Sequence, residues 1–331
     1  MRTLLTLLTV LIGSPGTESV DTAPTASSVP SQTVIVVVGA AGEPEYAPQF
    51  ARWADLWKQA CTKGRLEFLA VGLDGDETSP DRETLREALA NCSQQATAPL
   101  WLVLIGHGTF DGRVARFNLR GPDVSANDLA EWLKPMDRPI AIINTASASA
   151  PFLKELAAPG RIVITATKSG FEHNYARFGQ YLAEAIAQPQ ADLDKDGQTS
   201  LLEAYLTASH AVAAFYTAAG RLATEHALLD DNGDALGTPA EWFRGIRPVQ
   251  RARDNASLDG YRAHQFHLVH SETETAMPPD LRAKRDQLEL QIMELRDARS
   301  RHSEAEYFSR LEPLVREIAR IYDQAEPSDG R

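Results

Sequence analysis

Leu100–Gly112 reads LWLVLIGHGTFDG. Six apolar residues in a row, then Gly-His-Gly, are what a short strand covered on both faces and ending in a tight turn requires. The same pattern recurs on either side. Thr33–Gly39 (TVIVVVG) is a continuous β-branched run, and Arg65–Gly72 (RLEFLAVG), Pro139–Asn144 (PIAIIN) and Arg161–Thr167 (RIVITAT) are further strands. Phe50–Cys61 places Phe50, Trp53, Ala54 and Trp57 at helical spacing. Asp81–Cys92 predicts another helix, and Ser125 caps one running to Leu133. Val114–Gly121 alternates as a half-exposed hairpin strand does, and Gly260–Val269 (GYRAHQFHLV) is read as a sixth strand. This alternation predicts an α/β fold with a doubly wound, mostly parallel sheet and helices on both faces. In such sheets, function gathers beyond the carboxyl ends of the strands.

Two of those ends carry chemistry. One is Gly106-His107-Gly108-Thr109; the other is Asn144-Thr145-Ala146-Ser147-Ala148-Ser149. A histidine between glycines is either open to a ligand that approaches the backbone closely or a structural residue in a tight turn. GHG on one strand, a hairpin and helix, NTASA on the next strand and RIVITATKSGFEHN after it resemble, in that order, the legumain and GPI-transamidase family of cysteine peptidases. The resemblance covers Thr33 to Ile186 and implies the caspase–hemoglobinase fold. It also implies that His107 holds the place of the general base and that the nucleophilic cysteine's place falls on Ala146. A methyl group cannot attack a carbonyl.

Two readings follow. In one, the chain is a pseudo-peptidase whose crevice binds a peptide or protein partner without cutting it. In the other, Ser147 or Ser149 substitutes as nucleophile, which requires its hydroxyl within reach of His107 and an oxyanion site. TASASA leading into Pro151-Phe152-Leu153 equally suits a plain turn into a helix. Asp111 and Asp123, near the same edge, either orient His107 or are solvated loop residues. Cys61 and Cys92 precede the histidine and are not nucleophile candidates.

Asp192–Glu203 (DLDKDGQTSLLE) satisfies the ligand positions of an EF-hand calcium loop. Asp192, Asp194 and Asp196 stand at positions 1, 3 and 5, and Gly197 at the sharp turn. Gln198 offers a carbonyl, Ser200 a water site, and Glu203 a closing bidentate carboxylate. The alternative is a solvated acidic turn before a helix. Asp230, Asn232 and Asp234 in LLDDNGDALG make a partial second match, but Ala235 takes the glycine's place and no glutamate closes it. A lone loop reads as a structural Ca2+ site and not as a sensor.

The chain has 331 residues and a net charge of −12, without a basic run, which argues against nucleic acid and anionic membrane as partners. Residues 1–16 (MRTLLTLLTVLIGSPG) read as a signal peptide, too short to span a membrane, so the expected location is secreted or periplasmic. No later run is long enough to span once the signal is removed. Residues 17–32 read as a disordered linker, and 33–270 as the α/β domain containing the calcium loop. Cys61 and Cys92 either form a disulfide or are two buried free thiols. Residues 271–280 (SETETAMPPD) read as a second linker. Residues 281–325 read as a helical hairpin: Leu281, Leu288, Ile292 and Leu295 share one stripe, and Ser303 with Glu306 is a capping box. Tyr307, Leu311, Leu314, Val315, Ile318, Ile321 and Tyr322 continue an apolar face. Pro313 either kinks the second helix or starts it. The hairpin either folds back on the domain or self-associates as a coiled coil, in which case the chain is a calcium-stabilised scaffold acting through these helices.

Overall fold

In the computed structural model, residues 32–73, 80–93, 98–253 and 256–325 are described. The expected signal peptide and the 17–32 linker lie outside them, except Gln32. That residue is anchored: its amide oxygen accepts from Trp101 Nε1 at 2.8 Å and its amide nitrogen donates to the His267 carbonyl at 3.1 Å.

In chain order the elements are β1 (Thr33–Val38), α1 (Tyr46–Gly64), β2 (Glu67–Val71), α2 (Asp81–Ser93), β3 (Leu100–Ile105), β4 (Gly108–Phe110), β5 (Ala115–Phe117) and β6 (Val124–Ser125). Next come α3 (Ala126–Leu133), β7 (Ile140–Asn144), α4 (Ala150–Leu156), β8 (Arg161–Thr165), α5 (Phe178–Ala187), α6 (Leu201–Ala218), β9 (Leu228–Asp230) and β10 (Thr238–Pro239). The chain continues with β11 (Phe243–Arg244), β12 (Arg247–Pro248), α7 (Tyr261–His264), α8 (Glu272–Ala276), α9 (Pro279–Asp297) and α10 (Glu304–Ala325).

The main sheet has the order β10-β9-β8-β7-β3-β1-β2. Strands β2, β1, β3, β7 and β8 pair in parallel; β9 pairs antiparallel with β8, and β10 antiparallel with β9. Its central strands are apolar throughout because both faces are covered. Val34, Val36, Trp101, Val103 and Ile143 face α1, α5 and α6. Ile35, Val37, Leu102, Leu104 and Ile142 face α2, α3 and α4. Alternation along each strand thus feeds two cores.

The same alternation settles the cysteines. Cys61 lies in the core on one face and Cys92 in the core on the other, with the sheet between them. Both are buried free thiols, and burial pushes Cys61 up to about 12.

Two expectations need correction, and one open alternative is resolved. Gly260–Val269 is not a sixth strand: Gly260 sits at φ 105° and the Asp231 carboxylate accepts the Gly260 and Ala263 N–H groups, which starts the turn of α7. All that remains of strand character is an isolated bridge between His267 and Ser200. The sixth place in the sheet goes to β9. Residues 271–280 are not a plain linker either. They contain α8, capped by Ser271, and Glu274 pairs there with Arg285 of α9 in a largely buried ion pair. Finally, α10 runs through Pro313, because its start is set upstream by the Ser303–Glu306 capping box.

α9 and α10 form the expected hairpin, and α9 is held to the domain through Arg285–Glu274, Asp297–Arg251 and Glu289–Gln265. Phe308, Val315 and Tyr322 of α10 remain exposed. No helix among the described residues is long and apolar enough to cross a membrane.

Candidate functional site

β3 and β7 are neighbouring parallel strands with Leu104 opposite Asn144, so the residues just beyond them emerge at one edge of the sheet. His107 and Ala146 therefore arrive together. A Cβ built on Gly108 lies 3.3 Å from the Ala146 Cβ and only 2.4 Å from the Ser147 carbonyl oxygen, which is why this position is glycine.

His107 Nε2 lies 3.1 Å from the Ala41 carbonyl oxygen. A carbonyl only accepts, so Nε2 carries the proton and Nδ1 keeps its lone pair. The ring is packed at 4.9 Å from Tyr46, 5.3 Å from Phe50 and 6.1 Å from Tyr175. Burial in this aromatic box lowers its pKa, outweighing the opposite pull of the Ala41 carbonyl. The imidazole is thus neutral and oriented, as a general base must be.

Among the described residues, neither of the two candidate serines hydrogen-bonds it. Ala146 is fully buried, and its N–H donates to Asn144 Oδ1 at 3.1 Å. Ser147 Oγ donates to the Gly108 carbonyl at 3.2 Å and accepts the Gly108 N–H at 3.4 Å. Ser149 Oγ accepts the Ala166 N–H at 3.0 Å and bonds Thr167 Oγ1 at 3.2 Å. Both serines are buried. Between them Ala148 adopts φ 53° and donates its N–H to the Glu172 carbonyl at 2.8 Å. The turn is therefore fastened to β4, to the segment after β8 and to the Lys168–Tyr175 loop.

Asp111 and Asp123 serve their own loops. Asp111 accepts the Arg113 and Val114 N–H groups and pairs with Arg116; the Val114 N–H, then Arg116, holds its carboxyl well below the usual range. Asp123 accepts the Leu119 N–H. Neither hydrogen-bonds His107.

In the Asp192–Glu203 loop, ligand oxygens of Asp192, Asp194 and Asp196 lie within 4.8 Å of one another. Asp192 accepts the Lys195 and Gly197 N–H groups, Asp194 that of Asp196, and Asp196 that of Gln198. Gly197 takes φ 88°. Gln198 holds the Ser271 N–H through its side-chain oxygen. Ser200 is the N-cap of α6 and forms a capping box with Glu203. Glu203 is buried, with Oε1 accepting the Leu193 and Asp194 N–H groups and Oε2 accepting the Ser200 N–H and hydroxyl. Where the spacing predicts a bidentate ligand, Glu203 braces the loop from behind. Three converging carboxylates, with Lys195 Nζ turned to the Asp192 carbonyl, fit a hard divalent cation.

No family model matches the chain, and no curated protein matches it in sequence. Among solved structures, it is similar to the Drosophila initiator caspase Dronc, at 13% identity and TM-score 0.38, over 69% of this chain and 93% of that one. It is also similar to caspase-1 from Spodoptera frugiperda, at 10% and 0.40, over 63% and 93%. A third is a secreted C11 cysteine protease from Bacteroides thetaiotaomicron, at 12% and 0.41, over 62% and 68%.

Several residues around His107 escape a reading of the sequence. Ala41 and Tyr175 meet His107 only in the folded chain. Tyr46 had a signal: it stands one helical turn before Phe50, on the face that meets the GHG strand. Phe171, 69% exposed and edge-on to Phe110 at 5.3 Å, forms an aromatic rim on the Lys168–Tyr175 loop.

Proposed function

We propose that this chain is a caspase–hemoglobinase-like domain without a nucleophile, which holds a peptide or protein segment in the crevice beside His107. The observation that carries this is the buried methyl group of Ala146 at the strand end where the resemblance implies a thiol. With Ser147 bonded to Gly108 and Ser149 bonded to Thr167 and Ala166, neither hydroxyl is offered to the imidazole. Without an attacking atom no acyl intermediate forms, and a neutral His107 has no proton to remove. What remains is recognition. The Phe110–Phe171 rim supplies apolar contact.

The same proposal places a structural Ca2+ at Asp192, Asp194 and Asp196, with the Gln198 carbonyl, Ser200 and Glu203 completing or bracing the loop. When bound, the ion neutralises three neighbouring carboxylates. The protein's own part is to hold them there, through the α6 capping box and the Gln198–Ser271 contact. The setting is secreted or periplasmic, where calcium is abundant. On α10, the exposed Phe308, Val315 and Tyr322 favour a further role for the hairpin in contact with another helix.

The test of the crevice is restoration. Purified wild type is expected to be silent toward peptide substrates and unlabelled by serine-directed probes, while Ala146→Cys gains turnover. Labelling of wild type that disappears in Ser147→Ala or His107→Ala overturns the proposal.

A further inference from the structure

Asp230–Thr238 (DDNGDALGT) lacks, in sequence, both the glycine and the closing carboxylate of a cation loop. The folded chain supplies both. Ala235 itself adopts φ 62°, as Gly197 adopts 88°, and Gly233 at 81° matches Lys195 at 68°. Asp230 Oδ1 accepts the Gly233 N–H, Asn232 Oδ1 that of Asp234, and Asp234 Oδ1 that of Leu236, each at 2.8 Å. Asp192, Asp194 and Asp196 accept from the corresponding N–H groups of their own loop.

The closing carboxylate arrives from the segment before α7. Asp259 Oδ1 accepts the Asp231 and Asn232 N–H groups at 3.0 and 3.3 Å, and Oδ2 accepts the Thr238 hydroxyl at 2.6 Å. Glu203 does the same in the first loop: one oxygen takes the second and third N–H groups, the other takes the hydroxyl at the ninth position. Asp259 thus stands for Glu203, and Thr238 for Ser200.

A separate observation points to a ligand. Asp230 is completely buried, yet its Oδ2 makes no hydrogen bond. The Ala235 N–H acts on this carboxyl without reaching hydrogen-bond geometry at Oδ2. A buried carboxylate oxygen without a partner is costly unless a cation faces it. Asp231 and Asp259 are buried in the same cluster, and Asp234 is half-buried. Among the described residues, no ion pair reaches any of the four.

We propose that Asp230, Asn232 and Asp234, braced by Asp259 and with Leu236 at the position that offers a carbonyl, form a second divalent-cation site of the oxygen-rich kind that takes calcium. The ion pins the β9–β10 edge of the sheet to α7, because the same cluster holds the start of α7 through Asp231.

The experiment is equilibrium dialysis of the full chain against about millimolar free calcium, the range of extracellular calcium modules. It is run in an Asp194→Asn/Asp196→Asn background, so that it does not depend on the first loop. With a native circular dichroism spectrum, this variant is expected to retain one equivalent of calcium and to lose it when Asp234→Asn is added. Retention of no calcium, or an equivalent that survives Asp234→Asn, overturns the proposal. Failure of the first loop reads differently: wild type then binds a single equivalent that Asp194→Asn/Asp196→Asn leaves in place. Asp230→Asn separates a cation from a buried proton. A neutral side chain of the same shape is expected to abolish the remaining calcium-dependent rise in melting temperature, and an undiminished rise overturns the site.

Discussion

His107 Nε2 donates to the Ala41 carbonyl across 3.1 Å, and this one contact decides which face of the imidazole is free. Ala41 follows β1 and His107 follows β3, strands paired side by side from Thr33–Leu100 to Val38–Ile105. The tautomer is therefore set by sheet register, with Nδ1 left as the basic atom.

Ala146→Cys is expected to hydrolyse activated peptide esters at least about 100-fold faster than wild type, the scale of one positioned general base. His107→Ala in the same background returns the rate to the wild-type level. Because burial lowers the His107 pKa, the acid limb of the pH–rate profile lies below the 6.5 of an ordinary histidine. A limb above that value contradicts the buried ring.

Gly108→Ala drives a Cβ to 2.4 Å from the Ser147 carbonyl, and that neighbour is backbone. A loss of about 1–3 kcal/mol in denaturant unfolding is expected, as for other overpacked sites. In the Ala146→Cys background it also removes turnover, since the two strand ends are pushed apart.

His267 is pushed down to about 3, first by burial and then by the neighbouring His270. A histidine whose folded pKa is depressed binds its proton more readily in the unfolded chain. Stability is therefore lost as pH falls from about 6.5 toward 3, by roughly a few kcal/mol in all. Melts of His267→Gln across this window are expected to be flatter by about one proton; an unchanged slope refutes the assignment.

Chelation is expected to lower the melting temperature of wild type, because an ion bound only to the folded state stabilises it, by about 2.7 kcal/mol at a hundred times Kd. Asp194→Asn/Asp196→Asn diminishes the difference between calcium and chelator. Glu203→Ala behaves otherwise: it lowers the melting temperature in chelator as well, because it removes an α6 capping box, a loss of about 1 kcal/mol or more.

Phe308→Glu on α10 is expected to leave the melting temperature within a degree or so, since the ring is exposed. If the hairpin self-associates, this variant sediments as a smaller species than wild type. Identical sedimentation of the two removes Phe308 from any interface.

Besides β2 and the half-exposed β5, the legible strands, β1, β3, β7 and β8, are those covered on both faces, where nearly every residue must be apolar and periodicity is not needed. β9 and β10 were not, being only three and two residues long. Gly260–Val269 misled because its alternation is real but its backbone is bent into α7 by Asp231, from far away in the chain. That His107 and Ala146 stand at neighbouring strand ends could be read from GHG and NTASA. That both serine hydroxyls are already committed could not, because their partners, Gly108, Thr167 and Ala166, lie on other segments.

The two acidic loops divide the matter clearly. The expectation of a cation loop at Asp192–Glu203 rests on sequence alone, since the expected ligand positions, the turn glycine and the expected closing carboxylate follow one another within a single stretch. Asp230–Thr238 was only half written there, with an alanine at the turn and nothing to close it. Tertiary structure decided the rest by bringing Asp259 to the Asp231 and Asn232 N–H groups and to the Thr238 hydroxyl. Local spacing specifies what one segment can satisfy by itself; a carboxylate borrowed from another segment exists only once the sheet and α7 have been packed together.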